Sequence, residues 1–224
     1  MGRRSPLAYV HHSDTRVRRG VQVSGKVRAV PGPIVLATDA SVGRDRVAAG
    51  FIATTGHAGL RAHLYPVHLA APRTRIVVTE LRAAYWSLKP VLAAHPGAPV
   101  QVRLDSLDAL GYLHAWQSGS TRMPEGYDTR LRSQGRMPTL MKLQMLAEYT
   151  PDLTFVHEKA HVGNPLNEAA DSLTKLGLRA IHSKVPASEI PRLVPLGRRR
   201  PRRLPPERHR THPPRLRRRS IHPL

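Results

Sequence analysis

The sequence contains no cysteine, which excludes a disulfide framework and any thiolate-held metal site. No apolar run comes near the ~20 residues that a membrane span needs. The opening stretch, MGRRSPLAYVHHSDTRVRRG, carries positive charge without the apolar segment of a secretory signal. Being Arg-rich and acid-poor it also fits a transit peptide, but it reads first as a basic arm. A cytoplasmic protein with no membrane partner is expected. Phosphate-cradling glycine loops, serine or cysteine nucleophile motifs and internal repeats are all missing. The chain holds 13 histidines, yet His11, His12, His57, His63 and His68 show no ligand spacing, and most others scatter among arginines. Zinc is set aside on that ground. Acids are scarce as well: 15 Asp and Glu stand against 36 Lys and Arg, a formal net charge of +21.

That charge is unevenly placed. Residues 1–32 hold seven Lys and Arg against one acid, and residues 186–224 hold twelve Arg against two. The stretch between has an ordinary folded-domain balance. Three parts follow: a basic N-terminal arm over 1–32, a domain over 33–182, and an Arg/Pro-rich tail over 183–224. The tail has too little apolar content to offset the entropy of ordering and is expected to be disordered. Basic ends attract polyanions through a sequence-independent, salt-sensitive term, so non-specific nucleic acid is their expected partner.

Within the domain, PIVLATDAS suits a buried strand at 34–38. RVAAGFIATT and LRAHLYPVHLA continue it as a meander joined by the turn GHAG, residues 56–59. Leu81, Ala84, Tyr85 and Leu88 repeat at helical spacing, with Thr74 as cap and Pro90 near the end. APVQVRLDS is a strand and LDALGYLHAW a short helix. A polar stretch over 117–138 contains Arg122, Arg130, Arg132 and Arg136. A helix at 139–149 and the strand DLTFVHE follow. The last helix has Asn164 as N-cap and Pro165 as its first residue. The order β-β-β-α-β-α-α-β-α implies a five-stranded mixed α/β sheet with helices on its faces. In the arm, VQVSGKVRAV alternates like a further strand with no identifiable partner. One core that closes on itself implies a monomer.

Asp39 and Asp105 each follow an apolar strand, while Glu80 and Asp171 lie on helices. Singly, each reads as a turn residue or a solvated acid. Together they describe an all-oxygen site for hard cations, and ligands gather beyond the carboxyl ends of parallel strands.

TDAS, TELRAAYWSL, LDS and HVGNPLNEAADSL, in that order, resemble the ribonuclease H family over about residues 33–180. The most specific piece is His161, Gly163, Pro165, Asn167 and Asp171. The first departs from the family, which usually has Gly where this chain has Ala40. The resemblance implies endonucleolytic hydrolysis of the RNA strand of RNA–DNA hybrids with two Mg²⁺ ions, Mn²⁺ substituting, held by Asp39, Glu80, Asp105 and Asp171. His161 would assist proton transfer or product release. Ser41, Asn167, Arg122, Arg130 and Arg132 would contact substrate. Bacterial members commonly carry an Asn and a Gln where this chain has Ile76 and Leu107, and neither side chain can hydrogen-bond a 2′-hydroxyl. Trp116 either lines a DNA channel or packs on the sheet. The alternatives are a DNA nuclease or resolvase of the same fold, and a basic protein that binds nucleic acid without cutting it.

Overall fold

The computed structural model describes residues 8–10, 18–24, 31–65, 72–159, 163–183 and 189. Strands β1 (Ala8–Val10), β2 (Arg18–Ser24), β3 (Ile34–Val42), β4 (Arg46–Ala53) and β5 (His57–Leu64) precede helix α1 (Pro72–Ala94). Then come β6 (Val100–Leu104), α2 (Leu107–Gln117), α3 (Thr139–Tyr149), β7 (Leu153–His157) and α4 (Pro165–His182). All seven strands form one sheet in the order β1-β2-β5-β4-β3-β6-β7. β3, β4 and β5 pair antiparallel, whereas β6 is parallel to β3 and β7 parallel to β6. β3 to β7, which lie side by side at one end of this order, make the expected five-stranded mixed sheet. Parallel neighbours need long crossovers; α1 supplies the first, and α2 with α3 the second.

Several local expectations shift. The turn after β4 is Thr54–Gly56, with Gly56 at φ +87°. GHAG does not form the turn, because His57, Ala58 and Gly59 already pair as β5 with Gly59 opposite Phe51. Helix α1 starts at Pro72, so Thr74 lies inside it and caps nothing. As expected, Pro90 lies near the end of the helix, which runs on to Ala94. Pro90 removes only one backbone donor there, and Val91 beyond it is fully buried. In the arm, β2 pairs along its length with β5, and β1 pairs with β2. The partner invisible in the sequence is therefore the outer edge of β5. The rest of the arm up to Val30 lies outside the described residues, as does the tail beyond Ser183 except Glu189.

Side chains alternate across a strand, and the two faces are packed differently. One carries the main core, where Leu36, Phe51, Val102 and Phe155 meet Leu81, Leu88, Leu113, Trp116 and Leu143 from α1, α2 and α3. On the other face α4 lies over β4, β3 and β5, with Leu60, Leu173 and Ile181 packed beside a centre of small residues. A Cβ on Gly50 would lie 2.5 Å from the Ala170 carbonyl, and one on Gly177 would lie 3.1 Å from the Ala48 Cβ. At Gly50 only glycine permits this approach, because the atom met is backbone.

Candidate active site

β3 pairs with β6 only as far as Ala37 opposite Arg103, yet continues beside β4 to Val42. Asp39 was expected to end its strand. It lies inside β3, opposite Gly50, where the meander partner prolongs the strand after the parallel one has stopped. The flank of β3 beyond Ala37 is thus uncovered. Asp105 follows the last residue of β6, and Glu80 reaches the gap from α1. Asp39, Glu80 and Asp105 each present an oxygen within 4.8 Å of the others.

Crowding and burial set the charge state. Glu80 is 4% exposed, and its Oε2 has no hydrogen-bond partner. Burial, with Asp39 and Asp105 adding repulsion, holds the Glu80 carboxyl well above the usual range, against a small opposing pull from the Ala40 amide. Burial also pushes Asp39 up to about 6, with Asp105 and Asp171 raising it further, while the Thr174 hydroxyl and the Ala40 amide act the other way. Three hard oxygen donors and an orphaned buried carboxylate oxygen fit a divalent cation such as Mg²⁺ or Mn²⁺.

Asp171 stands beside this group rather than in it. Its Oδ2 accepts from Lys175 Nζ at 2.6 Å, one helical turn on. It is still near enough to raise Asp39. The close seat of α4 explains its position: Thr174, one residue before Lys175, donates to the Asp39 carbonyl at 3.2 Å and to the Ala170 carbonyl at 2.9 Å. Asn164 caps α4 by accepting from the Leu166 amide at 3.0 Å, and Pro165 opens the helix, both as expected. Asn167 faces inward, 7% exposed with its Oδ1 unpartnered, where a substrate contact would need an open side chain. The buried stripe of α4 runs Asn167, Ala170, Leu173, Thr174 and Gly177; Leu166 and Ala169 lie at its margins. His161 lies outside the described residues.

The remaining expected contacts are dispersed. Ser41 is half-buried on β3 opposite Ala48. Arg122, Arg130 and Arg132 lie on the exposed 117–138 segment, which forms a loop with a short turn at Ser133–Gly135. Arg130 and Arg132 share the Asp128 carboxylate, at 3.0 and 2.5 Å. The two guanidinium groups hold Asp128 well below the usual carboxylate range. Trp116 is fully buried and donates to the Arg122 carbonyl at 2.8 Å, so it packs on the sheet and anchors the loop. Ile76, one turn before Glu80, is 47% exposed, and Leu107, two residues past Asp105, is 65% exposed. Sequence reasoning missed Thr174, Lys175 and Gly50. The Asp171–Lys175 spacing and a glycine inside an apolar strand were their visible signals.

No protein-family model and no curated protein matches the chain. Among solved structures it is similar to LC11-RNase H1, isolated from compost by a metagenomic approach. That match has 19% identity over 69% of this chain and 99% of the other, with a TM-score of 0.43. It is also similar to a foamy viral protease-reverse transcriptase in complex with dsDNA, at 17% identity over 66% and 94% of the two chains and a TM-score of 0.42. Likenesses this distant bear on neither activity nor residues. The assignment of fold stands on the strand order and the parallel switch at β3.

Proposed function

We propose that the protein is a divalent-cation-dependent nuclease that hydrolyses the RNA strand of RNA–DNA hybrids. The observation that carries this reading is the convergence of Asp39, Glu80 and Asp105 within 4.8 Å at the open flank of β3, with one buried Glu80 oxygen left unpartnered. Mg²⁺ or Mn²⁺ bound there, two ions in the full site, would activate water and stabilise the leaving 3′ oxygen of an in-line displacement. Asp39, Glu80 and Asp105 hold the charge that keeps cations at the site. Asp171 completes the set on leaving Lys175, and the exposed i,i+4 ion pair that it breaks is worth well under ~1 kcal/mol. His161 carries the proton to or from the reacting oxygens, a role for a side chain that titrates near neutrality. Arg122, Arg130 and Arg132 with the basic termini hold the phosphate backbone of the hybrid.

A second reading, a DNA-cutting enzyme of the same fold, is favoured by the exposed Ile76 and Leu107. These side chains flank the carboxylates and offer no hydrogen bond to a 2′-hydroxyl. One experiment separates the two. Labelled RNA–DNA hybrid, duplex DNA, duplex RNA and single strands are incubated with the protein in Mg²⁺, with Asp105→Asn as control. Cutting confined to the RNA of the hybrid and lost in the variant is the expected result. Cutting of DNA moves the protein to the second reading, and tight binding without cutting in Mg²⁺ or Mn²⁺ overturns both.

A further inference from the structure

Side chains of β5 alternate between the two faces of the sheet. Ala58, Leu60 and Ala62 pack under α4, and Arg61 and His63 turn the other way, toward α1. There Arg61 lies over the Trp86 ring, its guanidinium carbon 4.3 Å from the ring centre. His63 meets the same ring nearly perpendicular at 5.9 Å and the Tyr65 ring at 6.3 Å. Arg82, one helical turn before Trp86, stands 5.6 Å from the Tyr65 ring and 6.0 Å from that of Tyr127. Cations and rings thus alternate along a ledge between β5 and the outer flank of α1. Arg61, His63, Arg82 and Trp86 are all half-buried, so the ledge reaches solvent. Among the described residues no helix other than α1 packs on this side of β5. The ledge begins at the end of the sheet that carries the carboxylates, where the Tyr65 amide donates to the Asp45 carbonyl at 2.7 Å, just past β3. Trp86 follows Glu80 on α1 by about 9 Å along the axis. The cleavage chemistry uses none of these side chains.

We infer that this ledge binds single-stranded nucleic acid, unpaired bases stacking on Trp86 and on the guanidinium planes of Arg61 and Arg82, with phosphates drawn to the same cations. Bases stack on aromatic rings and on guanidinium planes whatever their identity, and interleaved positive charge holds the backbone beside them. Nothing on the two elements opposes that charge: β5 has no acid, and Glu80, the one acid of α1, is buried in the catalytic group. A duplex keeps its base faces inside its own stack and would gain from the charge alone. An acidic peptide would likewise use the arginines and leave the rings idle. A strand that continues unpaired beyond a hybrid at the carboxylates would follow the ledge down α1. The binding is separate from the cleavage reaction and stands without it.

The test uses the full chain in EDTA, where no divalent cation supports cleavage, at 0.15 M salt to screen the tails. It is titrated with labelled oligothymidylate of about ten nucleotides, within the usual span of such sites. Trp116 is fully buried and the basic ends contain no tryptophan. Intrinsic emission therefore reports on Trp86, while anisotropy reports all binding. The expected result is a saturable fall in emission whose midpoint rises at least about fivefold in Arg82→Gln. Arg179→Gln removes the same charge from an exposed position on α4 and should leave the midpoint in place. Trp86→Phe, which keeps a ring in the ledge, should abolish the emission change with the circular dichroism spectrum unaltered. Binding seen by anisotropy without any change in emission assigns single strands to the tails and overturns the proposal. An emission change that survives Trp86→Phe, or a midpoint moved equally by Arg82→Gln and Arg179→Gln, overturns it too. An equal fall with duplex DNA or with oligoglutamate shows that bases are not read and makes the ledge a general polyanion surface instead.

Discussion

The two faces of the sheet hold their helices by different means. Against α1, α2 and α3 the sheet presents Leu36, Phe51, Val102 and Phe155, and the contact is large side chains filling a wide gap. Against α4 it presents Ala48, Gly50 and Ala62 with Leu60 beside them, and the helix answers with Ala170, Thr174 and Gly177 along its centre and Leu173 and Ile181 alongside. A thick apolar layer stabilises strongly and tolerates exchange among hydrophobic residues of similar volume. A layer that is glycine and alanine at its centre stabilises less there but fixes distance, because Gly50 meets the backbone of α4. Glu80 enters the site from the first face and Asp171 from the second. The site thus draws its stability from one side and its spacing from the other.

Trp116→Ala should show the largest effect, removing the biggest fully buried side chain. A loss of about 3–5 kcal/mol in urea unfolding is expected, with single-turnover cleavage at saturating hybrid nearly intact per folded molecule and only the affinity for hybrid reduced, because Trp116 anchors the Arg122 loop. Gly50→Ala should reverse that balance. Its new Cβ would meet the Ala170 carbonyl at 2.5 Å, so α4 must shift, at about 1–3 kcal/mol in stability. Single-turnover cleavage should fall further than this loss explains, because Asp171 moves with the helix. Gly111→Ala, where nothing lies within 4 Å, is the matched control and should not reduce stability. If Gly50→Ala and Trp116→Ala reduce cleavage alike for equal lost stability, the division between faces fails.

The smallest effect is electrostatic. The pKa of Asp39 rises on folding from the ordinary 3.8 to about 6, so the folded state binds its proton more tightly. This stability is fully present below the unfolded value and is lost as pH rises through about 6. In metal-free buffer, Asp39→Asn should therefore melt above the parent at pH 7.5 by an amount of order 1–2 kcal/mol. The gap should close as pH falls to 4. Added Mg²⁺ should stabilise the parent and not the variant. A gap that widens on acidification would show that burial, helped by the neighbouring carboxylates, does not raise Asp39 in the folded state.

The sequence made the site's chemistry legible more readily than its geometry. An apolar run ending in Asp marks Asp39 and Asp105, and Asn164-Pro165 marks the start of α4, because strand burial and helix capping are local effects. Whether Asp39 ends its strand depends on β4, a neighbour in space. The inward turn of Asn167 depends on how closely α4 can approach, which glycines on another element decide. The partner of β2 could not be found, because β5 offers its edge without any residue pattern that names the strand to come.

α4 is also the last described helix in the chain, and it alone among the described helices lies over the face made by Ala48, Gly50 and Ala62. As synthesis proceeds, Asp39, Glu80 and Asp105 leave the ribosome with the first half of the chain, while that face waits bare until Ala180 and Ile181 have emerged. The three acids thus precede, in chain order, the helix that covers the face of Ala48, Gly50 and Ala62. Arrival of α4 covers that face and brings Asp171 beside the other three acids in the same act, so the covered fold and the full acid group appear together.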